Sequence, residues 1–261
     1  SQDVVRFAIE KGYYRESAGK PFSFRDSYHP DQSPFSKRAG GGRVWSIYRR
    51  VAPSQAFSAD YFRGVEGAED YPLFVKPDHR LGVADVMALM RDHYEGTPFD
   101  MTKGLDAGPF GSPYRFRGLT WNVDGRACMW DRPISTQQAG FVTVSQSRRD
   151  LPNPVGGVLW FTPDDAYTSC FTPLYCGAKS LPEAYVKGDH NAFSWDSAWW
   201  VFNVVSNLTY DRWSRIIPDV QKAQREREAS LLKMQPVVEE AAAELAKGDE
   251  NLVRDFLTNY S

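Results

Sequence analysis

Four short runs in the middle of the chain do most to limit its fold. They are "ACMWD" at 127–131, "GFVTVSQS" at 140–147, "GGVLWFT" at 156–162 and "YTSCFTPLY" at 167–175. Each is rich in β-branched and aromatic residues and too short for a helix that buries a face. Asp-Gly at 124–125, "LPNP" at 151–154 and "TPDD" at 162–165 punctuate them as turns. Strands linked this tightly predict an antiparallel meander of four or five strands. Helical periodicity lies on either side of it, so the chain reads as α+β rather than alternating α/β.

Upstream, Val4, Val5, Ala8 and Ile9 share one face of a helix over 3–11 that Gly12 stops. Residues 15–42 read as loop, with "RAGGGR" at 38–43 as a flexible glycine run opening a helix. Val44, Ile47, Tyr48 and Val51 predict that helix from about Arg43 to Pro53, and 54–80 looks irregular. Another helix runs from Val83 to Tyr94, ended by Gly96. Downstream, "DSAWWVFNVVSNLTYDRWSRII" is a helix that Pro218 kinks or closes; Pro236 opens a further one, and 250–259 forms the last. A coiled coil over 219–247 is the weaker reading, because Pro236 breaks its heptads. The organisation is one domain portion over 1–261: a helical and loop part at 1–95, strands at 115–176 and helices at 195–261.

The net charge is −2 with Lys and Arg dispersed, which argues against a nucleic-acid partner. No apolar run reaches the ~18 residues of a membrane-spanning helix, and the start has no signal-peptide pattern. Aromatic residues make up 14%, with eight Trp, either as a core of large side chains or as a pocket lined by rings. Trp199 and Trp200 are adjacent and should face different ways on their helix, as core and interface. Cys128, Cys170 and Cys176 lack metal spacing, and only a Cys170–Cys176 disulfide is feasible.

Candidate polar residues cluster in two stretches. "HYEGTPFD" holds His93, Glu95 and Asp100, but two residues across a helix end point different ways and do not match zinc spacing. Such groups line a pocket or tie down a loop, and His93 near a helix C-terminus suits the helix dipole. Asp164 and Asp165 in "TPDDA" can hold a cation or a substrate amine, or cap a solvated turn. "NLT" at 207–209 matches a glycosylation pattern but falls inside a helix.

Several stretches together resemble the dipeptidase A type cysteine peptidases, which are N-terminal-nucleophile hydrolases. They are "DVMALMRDHYEGTPFDMTKGLDAGPFGSP", "GGVLWFTPDDAYTSCFTPLYCG" and "DSAWWVFNVVSNLTYDRWSRIIPDVQKAQ", supported by "VVRFAIEKGYY", "RVWSIYRRVAPS" and "VRDFLTNYS". The resemblance implies an αββα sandwich of two antiparallel sheets between helices. It implies dipeptide hydrolysis by an N-terminal cysteine, whose α-amine serves as base and which needs no metal or cofactor. The chain begins with Ser1 and resembles the C-terminal half of chains roughly twice as long. The nucleophile is therefore expected in an N-terminal half of the same enzyme, with Ser1 as a cut site or, less simply, itself a nucleophile. "GGGRVWSIYRR" is similar to a segment of bile salt hydrolases and penicillin V acylases in which an Arg completes the site. Arg43 matches it, for charge support or a substrate carboxylate; alternatively it pairs with an acid at the helix start. His93, Glu95, Asp100, Asp164 and Asp165 are candidates to line the substrate pocket. A binding or structural module without activity of its own, an amidase of the acylase type, and a homo-oligomer all stay open.

Overall fold

A computed structural model describes residues 3–16, 21–29, 36–115 and 120–261. Ser1 lies outside the described residues. The architecture is α+β, with two separate antiparallel sheets rather than one meander. Helix α1 (Val4–Glu10) is followed by α2 (Phe24–Tyr28), α3 (Gly42–Val51), α4 (Asp60–Arg63) and α5 (Val83–Met90). Strands β1 (Thr120–Val123) and β2 (Arg126–Met129) form a hairpin across Asp124-Gly125. Strands β3 (Phe141–Ser147), β4 (Gly157–Pro163) and β5 (Thr172–Tyr175) form the second sheet in that order, with the short α6 (Asn153–Gly156) between β3 and β4. Then come α7 (Glu183–Val186), α8 (Ala198–Asp211), α9 (Trp213–Leu245) and α10 (Glu250–Tyr260).

The period of two in the strands decides how the second sheet packs. Val144, Trp160 and Pro173 lie side by side, and so do Gln146, Val158 and Tyr175, so these side chains share one face. That face meets Val238 and Ala242 of α9, Val253 and Leu257 of α10, and Met87 of α5. Trp160 is completely buried there, and its indole N–H donates to Gln146 Oε1. On the opposite face Phe141 remains 63% exposed. A second core of Trp45, Phe62, Tyr94 and Met101 ties α3 to the segment after α5.

Several sequence expectations change in the structure. The 15–42 stretch is not all loop: it contains α2, whose Ser23 hydroxyl accepts the Asp26 N–H, and a π-helical turn at Lys37–Gly41. The glycines there serve close packing, since a Cβ on Gly42 would lie 2.8 Å from the Tyr94 hydroxyl. The apolar face of α1 stays half open, with Val5 and Ile9 exposed and only Ala8 buried. Helix α5 ends at Met90, so Gly96 does not terminate it. In the 167–175 run only the last four residues are strand; the first part is a turn organised by Asp165. Thr120–Val123 is a strand that the pattern missed.

The largest difference is α9. Pro218 and Pro236 both lie inside it, and the break with α8 falls at Arg212. A proline inside a helix loses one backbone hydrogen bond and costs about 3 kcal/mol. Leu231 and Leu232 before Pro236, and Val238 and Ala242 after it, all pack on the same core. Burial of Val238, at ~1.5–3 kcal/mol when complete, together with the partly buried Leu231 and Leu232, outweighs that cost and keeps the helix continuous.

Candidate functional site

The turn after α5 brings several buried polar groups together. Asp92 is buried, and its carboxylate accepts from Ser46 Oγ (2.5 Å), Arg49 (3.2 Å), Arg50 (3.1 Å) and the Tyr94 N–H (3.1 Å). Tyr94 itself has φ +64°, a left-handed conformation unusual for a large side chain. Its ring sits in the second core and its hydroxyl donates to the Arg132 carbonyl at 2.7 Å, which together fix it. His93 is completely buried between the rings of Tyr114 and Tyr167. Because the helix has already ended, His93 and Glu95 face each other instead of diverging. Nδ1 is 3.4 Å from Glu95 Oε1, without hydrogen-bond geometry, while the His93 backbone N–H donates to Glu95 Oε2 at 2.7 Å. Burial pushes the Glu95 carboxyl up, but the interactions with His93 outweigh it and hold the group at about 2. Asp100 closes the loop by accepting from the Gly96 N–H and from both the N–H and hydroxyl of Thr102. That pattern makes "HYEGTPFD" a built turn, and Asp100 a structural element of it.

Asp164 and Asp165 are both buried, so the solvated-turn expectation fails while the turn itself stands. Asp165 accepts from Ser135 Oγ (2.9 Å), the Tyr167 N–H (3.2 Å) and the Tyr114 hydroxyl. Its backbone carbonyl accepts from the N–H of Thr168 and Ser169. Asp164 takes φ +59° and accepts from Ser206 Oγ (2.6 Å) and Asn203 (3.3 Å) of α8. Burial raises the Asp164 pKa, against the lowering effect of those two donors. A raised carboxyl contributes stability below its unfolded value that is lost as pH rises through the folded value. Asn fits the left-handed conformation and carries no charge. Asp164→Asn is therefore expected to gain stability relative to wild type at pH 7, and to lose that advantage near pH 3.5. Thermal unfolding at the two pH values checks this; an advantage that grows on acidification contradicts it.

Among the described residues, no three His, Cys, Asp or Glu side chains come together as a metal-binding group. His93, Glu95 and Asp165 do meet, through Tyr114 and Tyr167, and Asp100 lies in the same turn near Glu95, whereas Arg43 lines a separate cleft.

Arg43 lines a cleft of about 760 Å³ between α3 and the tyrosines of the α4 region. Its Nε–H donates to the Ala39 carbonyl at 2.9 Å, and no carboxylate among the described residues pairs with it. Among the described residues no acid at the helix start pairs with it. Lys37 shares the cleft, its ammonium 5.4 Å from the centre of the Tyr61 ring. Arg25, also there, is bound to Asp70 and Asp26. The cleft therefore carries spare positive charge beside aromatic walls and suits a small carboxylate.

A second cleft, about 460 Å³, lies beside the three-stranded sheet. Trp199 and Trp200 both line it, in edge-to-face contact at 4.8 Å, so they do not divide into core and interface. Sequence reading passed over this cleft and over the Asp92 and Arg91–Glu228 pairings, because each depends on segments far apart in the chain. All three cysteines are free, so the Cys170–Cys176 disulfide does not form. Burial, with Glu228 beside it, pushes the Cys170 thiol up to about 12.

The profile of "Peptidase family C69" matches residues 1–226. A "Probable dipeptidase" of Salmonella dublin is 26% identical over 190 residues, covering 72% of this chain and 37% of the relative. "Dipeptidase A" of Lactobacillus helveticus is 22% identical over 174 residues, covering 61% and 32%. "Probable dipeptidase B" of Streptococcus pyogenes serotype M1 is 23% identical over 210 residues, covering 80% and 38%. The chain spans about a third of the length of these curated relatives. A match across most of the chain means that the chain belongs to peptidase family C69.

Proposed function

We propose that the protein to which this chain belongs hydrolyses dipeptides with a cysteine nucleophile contributed from outside these 261 residues. The observation that carries this reading is the family match, together with three relatives named as dipeptidases. The chain's own cysteines support it from the other side. The Cys170 thiol is held protonated, and among the described residues no histidine lies at hydrogen-bond distance from any of the three. A thiol without a base or a lowered pKa is a poor nucleophile. By this reading the chain alone is inactive, and the N-terminal half of the same enzyme completes the site.

Arg43 is the residue we assign to the substrate carboxylate, since its guanidinium lines an open cleft and, among the described residues, pairs with no carboxylate. Amino-acid release from dipeptides by the complete protein tests the whole reading. Iodoacetamide should abolish it; full activity after alkylation would exclude a cysteine mechanism. Arg43→Ala should lower kcat/KM by ~10²-fold and Arg43→Lys by less, because a point charge replaces a planar fork. An unchanged kcat/KM in both variants would remove Arg43 from the site.

A further inference from the structure

The cleft beside the sheet has features that neither the family assignment nor Arg43 uses. Its walls are Phe161, Tyr185, Trp199 and Trp200, and its rim carries Lys187 and His190. A volume of about 460 Å³ falls in the range of small-molecule sites. The walls are fixed: the Trp200 indole donates to the Asp189 carbonyl at 3.0 Å, and the Tyr185 hydroxyl meets Thr172 Oγ1 at 2.7 Å. The start of α8 opens into the same space. Ser197 occupies its N-cap position but makes no capping bond. Among the described residues, the backbone N–H groups of Ala198, Trp199 and Trp200 have no acceptor; Val201 is the first to donate, to the Ser197 carbonyl.

A helix start alone would signify little, but Ser197 adds a second observation. It is 98% buried (2% exposed), lines the cleft, and its hydroxyl has no hydrogen-bond partner among the described residues. Gly188 lies directly against that hydroxyl: a Cβ there would sit 2.8 Å from Ser197 Oγ, and its φ is +145°. A buried residue thus opens its hydroxyl on the cleft beside three N–H groups without an intrahelical acceptor, at the start of a 14-residue helix. The nearby acids do not occupy this position. Asp189 accepts from the Asn191 N–H at 2.8 Å, and Asp196 is exposed to solvent.

We propose that this cleft binds the free carboxylate of a ligand that also carries a large apolar or aromatic side chain. The carboxylate would accept from the Ser197 hydroxyl and the N–H groups at the start of α8, where the helix dipole favours an anion. The side chain would lie among the two tryptophans, Tyr185 and Phe161. That the ligand is a peptide or an amino acid rests on the dipeptidase reading; carboxylate capture between aromatic walls does not.

Calorimetric titration of the full chain with the dipeptide Ala-Phe and with its C-terminal amide tests the proposal. The acid is expected to bind at least tenfold more tightly than the amide. Ser197→Ala should weaken the acid about five- to tenfold and leave the amide unchanged, while Trp199→Leu should weaken both. Equal affinity for acid and amide in the wild type, or no saturable binding of either, overturns the site. If the acid is preferred, Ser197→Ala removes that preference while Arg43→Ala keeps it, and the complete protein cleaves no dipeptide, the cleft stands and the dipeptidase reading fails; a preference lost in Arg43→Ala and kept in Ser197→Ala overturns the cleft. If dipeptides are cleaved while acid and amide bind alike, the reading stands and the cleft fails.

Discussion

Replacing Glu228 with alanine lowers the unfolding free energy by about 3–5 kcal/mol. Glu228 and Arg91 are nearly buried, at 10% and 13% side-chain exposure, and meet through two guanidinium–carboxylate contacts. The same carboxylate accepts the Phe171 N–H at 2.8 Å, and the Arg91 guanidinium lies 4.9 Å from the centre of the Phe171 ring. Alanine leaves that guanidinium buried without its counter-charge and one strand-side N–H without its acceptor. The destabilisation thus comes from what remains, not from the strength of the pair itself. This distinction can be measured. The double variant Arg91→Met/Glu228→Leu removes both charges at similar volume, and should recover most of the loss. Chemical denaturation of both variants is the check; a double variant as unstable as the single one would mean that the pair is intrinsically stabilising.

Asp92→Ala should cost about 3 kcal/mol, at the lower end of the range for broken buried pairs. Arg49 and Arg50 are 23% and 31% exposed, so each can turn its guanidinium towards water once the carboxylate is gone. Ser46, on the inner face of α3, and the Tyr94 N–H cannot, because both are buried. Asp92→Asn preserves one acceptor for those two donors and should lose about half as much. The consequence extends beyond stability. Asp92 joins α3, which carries Arg43, to the turn that carries His93 and Glu95. In Asp92→Ala the two parts should separate more easily, and limited proteolysis should cut between residues 92 and 104 before the sheet is lost. Proteolysis confined to the termini would show that the second core holds the turn unaided.

The difference between sequence and structure follows the range of the interactions. The strands β3 and β4 and the helix α3 were legible because their side-chain period records burial locally. Their boundaries agree with the pattern to about a residue. The start of α5 was legible too, since Val83, Val86, Met87 and Met90 recur at helical spacing; the Gly82 N–H donated to Asp85 adds a cap that the pattern did not use. Its end was not: Tyr94 in a left-handed conformation depends on a carbonyl at Arg132 and on a core built by Trp45 and Phe62. Nor could Pro218 and Pro236 be read as helix-interior residues, because local propensity opposes them and only the tertiary core outweighs it. For the candidate site, residue types were legible but their roles were not. The paired aspartates looked like solvated turn residues until Ser206, Ser135 and Tyr114 were brought around them from distant segments. Ser197 gave no signal, because an N-cap serine that fails to cap differs from a capping one only in geometry.

The 33 residues of α9 extend about 50 Å at the usual rise per residue. Along that length Trp213 reaches the His93 ring, Gln224 donates to the 166–169 turn, Glu228 holds Arg91, Gln235 binds Gln146, and Val238 and Ala242 close the sheet core. A break at either proline would have let these neighbourhoods open independently. As a single rod, α9 couples them: its displacement disturbs the acid turn, the Arg91 anchor and the sheet at once. Amide exchange across these distant parts would then occur through one shared opening, with the continuity of α9 setting the size of the cooperative unit.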